Sequence, residues 1–112
     1  MQVTMNLSKA MNRRQEPGRD ADADMTLRAT VRGRVQAVGF RWFAETVAAR
    51  EGLHGWVRNL PDGRVETSAE GDAEAVERFE RAIRQGPPAA RVDAVEVDAV
   101  APTGRDTGFL VK

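Results

Sequence analysis

The hydrophobic period of this chain switches between two residues and about 3.6 residues, and the order of the switches restricts the fold more than any other feature. From Thr26 to Val35, the residues Leu27, Ala29, Val31 and Val35 alternate with Thr26, Arg28, Thr30, Arg32 and Arg34, as in a half-buried strand whose far end Gly33 interrupts. In RWFAETVAAREG the period lengthens. Phe43, Ala44, Val47 and Ala48 fall on one helical face, and Gly52 supplies a left-handed terminus. Leu53 to Asn59 and Arg64 to Glu70 alternate again around Pro61-Asp62-Gly63, with Val57 and Val65 pointing inward, which predicts a hairpin.

Asp72 is placed to cap a second helix on which Val76, Phe79 and Ile83 share a face, and Gly86-Pro87-Pro88 stops it. On its wet side Glu74 with Arg78, Glu77 with Arg81 and Glu80 with Arg84 stand four apart and are expected to pair. Ala90 to Val100 carries Val92, Val95 and Val97, an uneven spacing that predicts a strand with a bulge or a late start, and Gly108 to Lys112 is a short final strand. Strand, helix, strand, strand, helix, strand is the order of an α+β, ferredoxin-like split β-α-β sandwich, here with one short C-terminal strand added. Both helices then cover one face of a mostly antiparallel sheet. The other face carries Thr30, Arg32, Arg64 and Glu66 and meets water.

Residues 1–25 have scattered apolar residues without period, a Pro-Gly pair and alternating Asp and Ala, and are expected to be a disordered leader, with Met25 an alternative start. The functional domain is then 26–112. Lys plus Arg and Asp plus Glu both number 17, so net charge is zero and no bulk field draws the chain to nucleic acid or anionic lipid. Any anion must be held locally. With no cysteine there is neither a disulfide framework nor a thiolate nucleophile, and the default expectation is a soluble, cytoplasmic monomer without a membrane anchor.

Between the first strand and the first helix lies Val35-Gln36-Ala37-Val38-Gly39-Phe40-Arg41, a loop of little bulk that leads into a helix amino terminus. Four N–H groups there lack intrahelical partners and carry partial positive charge, which suits a phosphate or carboxylate. Arg41 is a cation in the first helical turn, disfavoured by roughly 0.3 to 1 kcal/mol unless an anion joins it, and its planar fork of donors matches two phosphate oxygens. On spacing alone, an Arg leaning to solvent or to Glu45 fits equally. Asn59, just before Leu-Pro-Asp-Gly, could equally close the hairpin through its own backbone.

VRGRVQAVGFR resembles the acylphosphatase signature V-x-G-x-V-Q-G-V-x-F-R, and GWVRNLPDGRVE resembles that family's second signature. The likeness extends through EGDAEAVERFERAIRQGPPAARVDAVEV and covers Thr26 to Lys112. It implies hydrolysis of a small-molecule acyl phosphate without metal or organic cofactor. Carried to matching positions, it makes Arg41 the phosphate clamp and Asn59 the residue that orients water, with the main-chain amides of Gln36, Ala37, Val38, Gly39, Phe40 and Arg41 as the cradle. Neither motif contains a His, Asp or Glu placed as a base, so the water proton is expected to pass to a phosphate oxygen of the substrate. The chain departs from the family at Ala37, where the signature has Gly. A positive φ there would strain alanine by roughly 1 to 2 kcal/mol.

His54, the single histidine, is expected on the strand surface, and no ligand-like spacing of Asp and Glu accompanies either motif. Trp42 and Trp56 flank the expected site. Each could line an acyl pocket or pack at the sheet edge. The alternative to an enzyme is a non-catalytic ferredoxin-like module that binds an anion. Domains of this architecture that bind RNA stack bases on strand aromatics, but here no aromatic precedes Phe40 and none lies from Arg64 to Glu70, which argues against nucleic acid. A unit serving a larger carbamoyl-transfer enzyme is a third reading, disfavoured because the chain ends after the domain.

Overall fold

The computed structural model describes residues 24–112. Five strands and two helices follow one another as β1 (Asp24–Arg34), α1 (Phe40–Glu51), β2 (His54–Asn59), β3 (Val65–Asp72), α2 (Ala73–Gln85), β4 (Arg91–Val100) and β5 (Phe109–Val111). The strands form one sheet in the order β4-β1-β3-β2-β5, antiparallel except where β5 runs parallel to β2. This is the ferredoxin-like fold. β1 starts at Asp24, inside the stretch expected to be a leader, and residues 1–23 of that leader lie outside the described residues.

β1 sits between β3 and β4, so the loop at its end hangs from the interior of the sheet. Its alternation puts Leu27, Ala29 and Val31 under the helices, where they meet Val57 of β2 and Val65 and Ala69 of β3. The helices contribute Phe40, Ala44, Val47 and Ala48 from α1 and Ala75, Val76, Phe79 and Ile83 from α2. Full burial of each Phe, Ile or Val stabilises by roughly 1.5 to 3 kcal/mol, enough in sum to fix which face of the sheet is covered.

The uneven valines of β4 are explained by a bulge. Arg32 pairs with Ala94 and Gly33 with Val92, so Asp93 is skipped, and the extra residue brings Val92 onto the same face as Val95 and Val97. Gly33 is needed there, because a Cβ would stand 2.1 Å from the Arg91 carbonyl oxygen.

Asp72 caps α2 by accepting from the N–H groups of Glu74 and Ala75, and Gly86 (φ 75°) ends it. Of the three expected Glu-to-Arg pairs, only Glu80 with Arg84 closes among the described residues, at 2.9 Å. Arg78 instead reaches Glu51 of α1 at 2.8 Å, whose side chain is only 12% exposed, so that this pair is less screened by solvent than one on an open helix face. Glu51 beside it raises the Arg78 guanidinium above its ordinary value.

Residues 101–108 run without regular structure from β4 at one edge of the sheet to β5 at the other. Two side chains tie them down. The Glu70 carboxylate accepts from the Thr103 N–H at 3.0 Å, the Thr103 hydroxyl at 2.8 Å, the Gly104 N–H at 2.7 Å and the Thr26 hydroxyl at 2.7 Å. Burial pushes the Glu70 carboxyl up, but these donors outweigh it and hold the group at about 2. His54 Nδ1 accepts from the Gly108 N–H at 3.0 Å while Nε2 lies 3.2 Å from Asp106. His54 is thus a half-buried anchor, not a simple surface residue.

Candidate active site

Val35 is the last residue of the first hydrophobic segment and is buried, which pins the start of the loop that follows β1. Phe40, also buried and in edge contact with Phe43 at 6.1 Å, pins its end. Between these anchors the backbone is unusual. Ala37 has φ 61°, Gly39 has φ 79°, and Val38 between them has negative φ. That alternation turns successive N–H groups toward one concave side, the geometry of an anion nest. Ala37 therefore occupies the left-handed region that the expected glycine would enter without strain.

α1 opens without any of the usual closures. Its N-cap is Gly39, no side chain caps it, and no acidic residue lies in the first turn. The first helical bond is from the Phe43 N–H to the Gly39 carbonyl at 2.9 Å, and among the described residues the N–H groups from Gln36 to Arg41 have no main-chain acceptor. Six donors thus stand at the positive end of a 12-residue helix.

The loop is braced from the side by a residue whose side chain was not singled out from the sequence. Gln36 Nε2 donates to the Leu60 carbonyl at 2.7 Å and the Arg64 carbonyl at 3.0 Å, fastening the loop to the turn between β2 and β3. Asn59, half-buried, ends β2 opposite Val65 just before that turn. The turn is closed by other groups: the Leu60 N–H donates to the Arg64 carbonyl at 2.8 Å, and Asp62 accepts from the Arg64 N–H at 3.1 Å. Hairpin closure thus leaves the Asn59 carboxamide unused among the described residues.

A cleft of about 370 Å³ joins these parts, lined by Ala37, Gly39, Phe40 and Arg41 from the loop and by Asn59 from β2. Gln36 and Val38 of the expected cradle do not line it. Arg41 neither leans to Glu45 nor hangs free: one guanidinium nitrogen donates to the main-chain oxygen of Lys112 at 2.8 Å. This contact spans 71 residues and comes from the residue that follows β5, a strand whose register beside β2 is held by the Lys112 N–H donating to the Val57 carbonyl at 2.9 Å. Trp42, Glu45 and Val111 complete the walls.

The second tryptophan lies elsewhere. Trp56 is on the open sheet face, with Arg58, Lys112 and Arg28 cations 5.1, 5.0 and 5.7 Å from its ring centre, so packing at the edge is not its role. Among the described residues no group of three His, Cys, Asp or Glu is placed to hold a metal ion, and no helix is long and apolar enough to cross a membrane.

The sequence model described as Acylphosphatase matches residues 27–111. The acylphosphatase of Thermococcus kodakarensis is 56% identical over 79 residues, covering 70% of this chain and 86% of that protein. The acylphosphatase of Anaeromyxobacter dehalogenans is 56% identical over 85 residues, covering 76% and 91%. Among solved structures, an acylphosphatase from Coxiella burnetii superposes with a TM-score of 0.79 at 29% identity, covering 86% of this chain and all of that one.

Proposed function

Because the chain belongs to the acylphosphatase family and hydrolyses acyl phosphates to a carboxylate and inorganic phosphate, we propose that the loop after β1, Arg41 and Asn59 perform that reaction. The amides from Gln36 through Arg41 and the Arg41 fork grip the phosphoryl group. The Asn59 carboxamide orients the attacking water. The observation that carries this reading is the meeting of an uncapped helix terminus, Arg41 and Asn59 in one cleft.

The chemistry asks for little more. Water adds to phosphorus, the bond between phosphorus and the acyl oxygen breaks, and the electrons leave on a stable carboxylate. A loose phosphoryl-transfer transition state then needs positioning and stabilisation of charge on the equatorial oxygens, which fixed amides and a guanidinium supply. The water proton passes to a phosphate oxygen of the substrate. Asp62 is bound to Arg64 in the turn, which leaves Glu45 as the carboxylate lining the cleft.

The test is steady-state hydrolysis of benzoyl phosphate in EDTA by the parent and by Glu45→Gln. Comparable kcat for the two supports transfer of the proton to the substrate. A folded Glu45→Gln protein with no turnover makes Glu45 the base and removes that step.

The catalytic unit in this reading is residues 26–112, working as a monomer in the cytoplasm on a small molecule and not on nucleic acid. Supporting this, every group assigned to the cleft comes from one chain, and the formal net charge of zero supplies no bulk attraction to nucleic acid. The absence of cysteine fits a reducing compartment.

A further inference from the structure

Four large hydrophobic side chains are markedly exposed among the described residues: Trp42, Val100, Leu110 and Val111. Two of them, Trp42 at 69% and Val111 at 43% exposure, line the cleft that also holds Arg41 and Asn59. They come from distant parts of the chain. Trp42 follows Arg41 in the first turn of α1, and Val111 lies on β5, which joins the sheet edge beside β2. An aromatic ring left open at such a place costs the fold its burial and gains nothing locally. The ring is also not needed by the core, which α1 reaches through Phe40, Ala44, Val47 and Ala48.

We propose that Trp42 and Val111 form the acyl subsite of this enzyme, so that its preferred substrates are acyl phosphates with an aromatic or other apolar, uncharged acyl group. This inference rests on the phosphate site proposed above. With the phosphoryl group at the helix terminus, the leaving carboxylate extends along the remaining cleft wall, where Trp42 and Val111 offer apolar surface. Glu45 adds a charge criterion. It is three residues after Trp42, lines the same cleft and disfavours an acyl group that bears a second phosphate or carboxylate. Acetyl phosphate is too short to use the ring, so it reports the phosphate site alone.

The experiment compares kcat and KM for benzoyl and acetyl phosphate in the parent, Trp42→Ala and Trp42→Phe. The exposed position of Trp42 means these variants keep the fold, which circular dichroism verifies. Trp42→Ala is expected to raise KM for benzoyl phosphate about fivefold to tenfold while kcat/KM for acetyl phosphate stays within about twofold, and Trp42→Phe is expected to restore most of the loss. In the same assay Glu45→Gln is expected to improve kcat/KM selectively for an acyl phosphate that carries a second anionic group. An unchanged benzoyl-to-acetyl ratio in Trp42→Ala overturns the subsite while leaving the phosphate site standing. A parent inactive on both substrates overturns the site reading and this inference with it.

Discussion

The two helices of this protein begin in opposite ways. α2 starts with Asp72 bonded to the amides of Glu74 and Ala75, and Glu74 places a negative charge in its first turn. α1 starts with a left-handed glycine, no cap and no acid, and with Arg41 where the dipole disfavours a cation. One terminus is closed by its own sequence, while the other is left open and, in the reading proposed above, is completed by the phosphoryl group of the substrate. Local rules of helix stability are obeyed where the helix only has to fold and broken at the terminus proposed to bind.

The largest effect that sharpens this contrast is expected at Arg41. Arg41→Ala should lower kcat/KM for acyl phosphates about a thousandfold, as removal of a charged transition-state donor does. Its unfolding midpoint in urea should barely move, since one bond to Lys112 is lost at the surface. Asn59→Ala should lower kcat about a hundredfold with KM nearly unchanged, because a water-orienting group acts after the substrate is bound. A large rise in KM instead would place Asn59 on the phosphate.

The closed terminus should answer differently. Asp72→Ala is expected to destabilise the fold by about 1 kcal/mol in chemical denaturation and to leave kcat/KM unchanged. The smallest effect belongs to Ala37. Ala37→Gly relieves roughly 1 to 2 kcal/mol of left-handed strain but frees the unfolded chain by up to about 1 kcal/mol, so stability should rise by about 1 kcal/mol or less. Activity should change no more than a few fold.

The anchored crossing of the sheet adds a pH criterion. Glu70 titrates at about 2 in the folded protein against an ordinary 4.5, so its carboxylate form is favoured by folding. Its contribution is complete above about pH 5 and is lost as pH falls toward 2. Glu70→Gln should therefore flatten the acid limb of a stability profile, while Asp72→Ala should lower the whole curve near neutral pH.

Much of this was legible in the sequence because it is local. The alternation in β1, the apolar face of α2, the Asp72 cap and the Gly52 terminus each depend on neighbours within a few residues, and even the β4 bulge showed in the spacing of three valines. Arg41, Asn59 and the loop were singled out through two motifs, and the structure brings Arg41 and Asn59 to one cleft, while the left-handed backbone of Ala37 was anticipated from one missing glycine. What stayed hidden joins distant segments. Glu70 meets Thr103 across 33 residues, Gln36 meets Arg64 across 28, and Arg41 meets Lys112 across 71. Periodicity carries no trace of such pairs. Of the expected Glu-to-Arg pairs on α2, Glu80 with Arg84 forms, while Arg78 leaves Glu74 for Glu51 on the neighbouring helix, a pairing that the spacing on α2 does not show.

The most direct measurement is a titration of the protein with inorganic phosphate followed by amide proton and nitrogen chemical shifts, repeated on Arg41→Ala. The expected result is that the largest shifts fall on the amides of residues 36–41, saturate together and vanish in the variant. Shifts centred instead on the open sheet face around Trp56, or shifts at the loop that persist unchanged without the guanidinium, would contradict the site.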